Sequence, residues 1–146
     1  MFSKDLEKWR MAERQFASRL LKWDVSKIEF APDTQFKDWD LLVTFNKSWK
    51  QKTVSYEVKE DRQADTTWNV WIEYMYKWNP SWIYTSNADI LVYKIWDKFY
   101  YADRLKFIIE LSKIVKQDVV WWDDDNSQMW LVKRDVFNLL MTELWK

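Results

Sequence analysis

The amino-acid sequence predicts an α/β domain in which helices flank a mixed β-sheet. Its length of 146 residues suits one domain with one hydrophobic core. Helical apolar patterns alternate with short segments of strand-like pattern along the chain, and two pairs of these segments are joined by turn-like dipeptides. No linker, repeat or low-complexity tract interrupts the sequence. We therefore expect a single domain over residues 1–146.

The first helix is predicted over residues 4–21, where Leu6, Phe16 and Leu20 recur at helical spacing. Glu13 belongs to the same stripe, so the apolar face contains one carboxylate. Strand candidates rich in β-branched and aromatic residues follow. They are residues 27–31, 41–46, 52–59 and 69–76.

The second half of the chain predicts a hairpin and two more helices. The hairpin joins residues 88–95 to 98–102 across Trp96-Asp97. Asp103 is expected to cap a helix that runs to about residue 116. A loop at 121–128, a short strand at 129–133 and a last helix from Asp135 to Leu144 complete the prediction.

Composition restricts the chemistry that the chain can perform. There is no cysteine and no histidine, which excludes thiolate nucleophiles, zinc clusters and Ser-His-Asp catalysis. Catalysis would depend on carboxylates, lysine, hydroxyls and a hard cation such as Mg²⁺. The 23 basic and 23 acidic residues balance, so only a local cationic surface would attract nucleic acid. The charged N-terminus and the lack of a long apolar run predict a cytoplasmic protein with no membrane partner.

Glycine is absent, although ordinary usage of about 7% would give roughly ten in a chain of this length. Tryptophan instead occurs thirteen times, often at positions where turns favour glycine. These positions are Trp49, Trp78, Trp96, Trp121 and Trp122. The pattern predicts a gene that uses UGA for glycine and was translated with UGA as tryptophan. The alternative is a domain that is truly rich in tryptophan.

The most informative segment is the hairpin formed by the second and third strands. With Ser48-Trp49 as a two-residue turn, Lys47 faces Lys50, and the numbers of opposed residues sum to 97. Side chains alternate between the two faces of a strand. One face is then apolar and carries Leu41, Val43, Phe45, Val54, Tyr56 and Val58, with Lys52 at its end.

The other face of this hairpin is polar and gathers charged residues at one end. Asp40 is predicted to face Glu57, and Lys59 to face Asp38. Directly opposed residues lie about 5 Å apart at Cβ, close enough for two carboxylates to share a divalent cation. The alternative is a solvated polar face, which hairpins commonly have.

The ordered motifs resemble the PD-(D/E)XK nuclease superfamily, in particular small phage-type and resolvase-like endonucleases. An acidic residue precedes the second strand at Asp40, and E-x-K follows at Glu57 and Lys59. With glycine in place of tryptophan, residues 67–73 read T-G-N-x-x-I-E and residues 81–89 read S-G-I-x-T-x-x-A-D. The resemblance spans residues 13–104 and implies a restriction-endonuclease-like αβββαβ core. The sequence departs from the pattern at Trp68, Trp71 and Trp82.

The resemblance also implies roles for individual residues. Asp40, Glu57 and the carbonyl of Val58 would bind Mg²⁺, with Mn²⁺ as the other candidate. Lys59 would position or activate the attacking water. Glu13 and Glu73 are candidate outer ligands, and the alternative for Glu13 is an edge residue that pairs with Arg14 or a lysine.

A DNA partner and phosphate contacts follow from the same resemblance. The candidate phosphate contacts are Arg62, Lys77, Ser81 and Thr85. The expected function is hydrolysis of DNA by a structure-selective or phage-associated endonuclease, and a homodimer is compatible with it. Two alternatives remain open: an inactive DNA-binding module of the same fold, and a structural or interaction protein whose aromatic residues are real.

Overall fold

The fold comes from a computed structural model. It describes residues 2–32, 36, 38–47, 49–62, 64–77, 79–80, 82–114, 120–122 and 127–145. The helices are α1 (Phe2–Leu20), α2 (Ala64–Thr67), α3 (Trp82–Thr85), α4 (Arg104–Ile114) and α5 (Arg134–Leu140). The strands are β1 (Val25–Phe30), β2 (Leu41–Lys47), β3 (Lys50–Glu60), β4 (Asn69–Tyr76), β5 (Asn79–Pro80), β6 (Ile90–Ile95), β7 (Lys98–Asp103), β8 (Val120–Trp122), β9 (Ser127–Lys133) and β10 (Thr142–Leu144).

Six of the described strands form one mixed sheet in the order β1-β2-β3-β6-β7-β10. Only β3 and β6 pair in parallel within it, and its other neighbours are antiparallel. Helix α1 packs on one face through Phe16 and Leu20, which lie against Tyr56 and Val58. The predicted α/β class, with a mixed sheet flanked by helices, is therefore confirmed.

A second sheet, which the sequence did not predict, contains the remaining described strands in the order β5-β4-β9-β8. Its core is continuous with the opposite face of the first sheet, because Leu91, Tyr93 and Ile95 of β6 cluster with Ile72 and Val132. Between them in sequence, Val92 points to the α1 side. Strand β6 thus contributes to both cores on alternate faces.

The chain reaches β6 from β3 by a crossover that includes α2, β4, β5 and α3. A parallel pair needs such a connection, since the chain must return to the same end of the sheet. Tyr56 is in register with Ile90 and Glu57 with Leu91. The crossover therefore places the segment just before β6 beside the middle of β3.

The end of the chain differs from the predicted helix over 135–144. Helix α5 stops at Leu140, and Met141 is extended, with φ −117° and ψ 147°. Thr142–Leu144 form strand β10 against β7. As a strand, this segment pairs with the free backbone groups at the edge of β7, and Leu144 and Trp145 pack against the α1 core. These two contributions outweigh the helical pattern of the sequence.

The tryptophan turns behave differently from one another. Trp49 lies in the turn between β2 and β3, and Trp96 in the turn between β6 and β7. Trp121 and Trp122 belong to strand β8 instead of the predicted loop. Trp78 lies outside the described residues.

Four non-glycine residues in the described ranges have positive φ, and three of them are tryptophan. They are Trp68 (60°), Lys77 (48°), Trp96 (57°) and Trp145 (55°). Such φ values are disfavoured for residues with a side chain and favour glycine.

No helix in the described ranges is long and apolar enough to cross a membrane.

Candidate active site

The β2–β3 hairpin has the predicted register, from Lys47 opposite Lys50 to Leu41 opposite Tyr56. Beyond Leu41 the structure departs from the prediction that Asp40 faces Glu57 in the ladder. The Asp40 N–H donates to the Tyr56 carbonyl at 2.8 Å, and the Asp40 carboxylate accepts the Val58 N–H at 2.8 Å. The Asp40 side chain takes over a backbone bond of the ladder, so the strand bends away while its carboxylate stays beside β3.

Lys59 is likewise not a ladder partner of Asp38. Its Nζ lies 3.8 Å from Glu57 Oε1. Asp38 instead accepts a 2.8 Å hydrogen bond from the side-chain amide of Asn87. Asp40, Glu57 and Lys59 therefore lie close together, because Glu57 and Lys59 share β3 and Asp40 bonds to β3 through its backbone N–H and its carboxylate.

Burial and mutual repulsion characterise the acidic residues of this cluster. Burial raises the pKa of Glu57 to about 7, and Asp40 adds to the rise, whereas Lys59 opposes it. The pKa of Asp40 is also raised by burial, against the Val58 hydrogen bond and Lys59. Two carboxylates that cannot both ionise cheaply are a feature of functional sites.

Helix α1 brings Glu13 to the same place. Burial raises its pKa to about 7, Asp40 and Glu57 contribute further to the rise, and Arg10 and Lys59 oppose it. Glu13 of α1 is thus within electrostatic range of Asp40, Glu57 and Lys59.

Two further residues of this site were missed in the sequence. The Ser86 hydroxyl donates to Glu57 Oε2 at 3.1 Å. This hydrogen bond and the charge of Arg104 both oppose the rise in the pKa of Glu57. Ser86 is only 2% exposed and Arg104 9%. Ser86 stands beside Thr85 in the 81–89 motif, which was the available signal. The burial of Ser86 and Arg104, which sets them apart from most of the other polar residues that the structure describes, is not visible in a sequence.

The other predicted residues lie outside this cluster or are only partly described. Glu73 lies in β4. Burial raises the pKa of Tyr93 most, and the charges of Asp61 and then Glu73 add to the rise. Arg62 forms an ion pair with Glu60 at 2.6 Å. Lys77 follows β4, and its Nζ lies 5.4 Å from the centre of the Tyr76 ring. Thr85 is exposed at the end of α3, and the Val58 side chain lies in the α1 core. Ser81 is outside the described residues.

The donor chemistry at the cluster fits a hard divalent cation. Asp40 and Glu57 supply carboxylate oxygens that are poorly hydrated and repel each other, and a cation would relieve both penalties. Within the described ranges, no group of three or more acidic side chains is placed to hold a metal ion.

The fold and the site together define an α/β protein with a partly buried carboxylate–lysine cluster beside the central strand of a mixed sheet. No protein-family model matches the chain, and no curated protein matches it. The structure is similar to a solved one described as "Structure of D212, a nuclease from a fusselovirus". The two share 13% identity and a TM-score of 0.41, over 92% of this chain and 78% of the other. This likeness is too distant to transfer chemistry from one protein to the other.

Proposed function

We propose that the chain is a Mg²⁺-dependent deoxyribonuclease of the PD-(D/E)XK type. The observation that supports this most is the pair formed by the buried Glu57 and the half-buried Asp40, with Lys59 beside it. Burial of two repelling carboxylates is costly, and a merely structural polar face would leave them in water. A lysine ammonium 3.8 Å from one of them adds the cation that a phosphoryl-transfer site needs.

Asp40 and Glu57 would hold the metal ion, with Mn²⁺ as an alternative to Mg²⁺ and the Val58 carbonyl as a further ligand. When bound, the ion would polarise the scissile phosphate and lower the pKa of a bound water. Lys59 would orient the attacking water and stabilise negative charge on the phosphate. Glu13 and Glu73 are the proposed outer ligands.

DNA is the proposed substrate, acted on by one domain in a structure-selective manner. Arg62, Lys77, Ser81 and Thr85 are the proposed phosphate contacts, which position a duplex without reading bases. Arg62 follows Lys59 by three residues, just after β3, and Thr85 directly precedes Ser86, so these two lie nearest in sequence to residues of the site. A cytoplasmic location and a homodimer belong to the same proposal.

The experiment that tests this function is cleavage of linear, nicked and branched DNA with Mg²⁺, with Mn²⁺ and with EDTA. Lys59→Ala should reduce the cleavage rate by about 10²–10⁴-fold, the usual contribution of a positioned proton-transfer group. Lys50→Ala is the matched control, because Lys50 is an exposed lysine in the same strand. Cleavage in EDTA, or undiminished cleavage by Lys59→Ala, would contradict the proposal. Binding of DNA without cleavage would identify an inactive module instead.

We further propose that glycine is the natural residue at the tryptophan positions, through a UGA codon. Tryptophan makes up 13 of 146 residues, yet it occupies three of the four described positive-φ positions. At Trp96 only the first central residue of the hairpin turn has positive φ, which is the type II′ pattern that favours glycine there. UGA at most of the thirteen codons is expected, and UGG at most of them would overturn the proposal. The cleavage experiment should therefore include a version with glycine at every tryptophan position.

A further inference from the structure

The two oxygens of the Glu57 carboxylate have different partners. Oε2 accepts the 3.1 Å hydrogen bond from Ser86, and Oε1 lies 3.8 Å from the Lys59 ammonium. The Ser86 oxygen also accepts the Ala88 N–H at 3.1 Å, which fixes the position of the hydroxyl. Glu57 therefore has one oxygen tied to the protein interior and the other turned to the side of Lys59.

Residues 83–89 carry this serine, and they are braced from several directions. Arg104 is buried and donates to the carbonyls of Ala88 and Ile83, both at 2.9 Å. Asp89 accepts the N–H and hydroxyl of Ser55, at 3.1 and 3.0 Å.

The same segment is also tied to the residues that precede Asp40. The Asn87 N–H donates to the Asp38 carbonyl at 2.9 Å, and its side chain donates to the Asp38 carboxylate. Segment 83–89 thus connects the chain before Asp40, strand β3 and helix α4.

We propose that Ser86 is a positioning residue that holds Glu57 in the orientation that binds the divalent cation, on a segment braced by Arg104. The inference rests on the proposed function, because it concerns the same site. A free glutamate side chain has several rotamers, and fixing one of them in advance reduces the entropy lost on binding. Groups that orient a metal ligand typically change metal affinity or activity 10–100-fold when they are removed.

The test measures Mg²⁺ binding without DNA, from the rise in melting temperature and by calorimetry. The variants are Ser86→Ala, Ser86→Thr and Ser55→Ala. Ser55→Ala is the matched control, because Ser55 is also a buried serine bonded to segment 83–89, but its hydroxyl pairs with Asp89 and not with Glu57. If Ser86→Ala does not fold, Ser86→Cys replaces it, since a thiol fills the space and is only a weak donor.

Ser86→Ala should weaken Mg²⁺ binding at least about tenfold, and Ser55→Ala less than about twofold, even if both lower the melting temperature. Ser86→Thr, which keeps the hydroxyl, should restore binding to near that of the wild type. In cleavage assays the Ser86→Ala defect should shrink when Mg²⁺ is raised to saturation. Unchanged Mg²⁺ binding in Ser86→Ala, or an equal loss in Ser55→Ala, would overturn this inference alone. A wild-type chain that binds no Mg²⁺ would overturn the proposed function and this inference with it.

Discussion

At the scale of single residues, the three tryptophans with positive φ have an unfavourable backbone conformation. Packing of the side chain compensates for this conformational energy to a different extent at each of them. A non-glycine residue in the left-handed region costs roughly 1–2 kcal/mol. Trp68 and Trp96 are more than half exposed, at 53% and 60%, so packing compensates little. Trp145 packs against Phe16 and Phe99, but in the described structure its indole nitrogen is buried without a hydrogen-bond partner.

Trp96→Gly is expected to stabilise the chain as it is printed. The relief of about 1–2 kcal/mol exceeds the extra chain entropy of glycine, about 0.4–1 kcal/mol, so the free energy of unfolding should rise by about 0.5–1 kcal/mol. Urea denaturation at neutral pH measures the change. Trp49→Gly is the control, because Trp49 is 92% exposed at a similar hairpin turn and is not among the positive-φ residues. A destabilised Trp96→Gly, or equal gains in both variants, would contradict this explanation.

At the scale of elements, the side chain of Arg104 ties segment 83–89 to α4. Arg104→Met would leave two buried carbonyls, those of Ile83 and Ala88, without their charged donor. We expect a loss of about 2–4 kcal/mol in the free energy of unfolding. Relative to the unchanged chain, amide hydrogen exchange should accelerate more within residues 83–89 than in β2.

Lys106→Met is the companion variant for that experiment, since Lys106 is exposed in the same helix. It should change stability by less than about 0.5 kcal/mol. Equal losses in the two variants would show that the brace contributes nothing specific.

Most of the longer strands of both sheets could be predicted, because their sequence patterns are local. Residues 69–76 were predicted with the bounds that the structure has, and the β2–β3 register followed from one turn. The pairing that forms the second sheet could not be predicted, because β4 and β9 are distant in sequence and no local signal joins them. For the same reason the sequence pattern predicts a helix where β10 lies, and it carries no signal for the contact between Ser86 and Glu57, although it does predict that Asp40, Glu57 and Lys59 lie together.

At the scale of the whole molecule, the acidic cluster is expected to couple stability to pH and, under the proposed function, to divalent cations. Glu13 and Glu57 have a folded pKa of about 7, above their ordinary value of 4.5. Between those two values the folded state binds more protons than the unfolded state, so stability falls as pH rises. In EDTA we therefore expect a lower melting temperature at pH 8 than at pH 5.

Mg²⁺ should reverse this trend, because it replaces the lost protons at Asp40 and Glu57. The rise in melting temperature on adding Mg²⁺ is expected to be larger at pH 8 than at pH 5. Glu57→Gln should flatten the pH dependence in EDTA and reduce the response to Mg²⁺. A Mg²⁺ response that Glu57→Gln leaves intact would show that the cation binds elsewhere.

The parallel pairing of β3 with β6 has a consequence for how the protein is made. Asp40, Glu57 and Lys59 all precede residue 60, but the strand that lies beside Glu57 begins only at Ile90. Contacts between segments this far apart form late in folding, because a long loop must first close. A nascent chain that has not yet left the ribosome beyond β6 would carry Asp40, Glu57 and Lys59 without the framework that arranges them. Under the proposed function, we expect such a fragment to be inert toward DNA, so that the proposed activity would arise only when synthesis has passed the crossover.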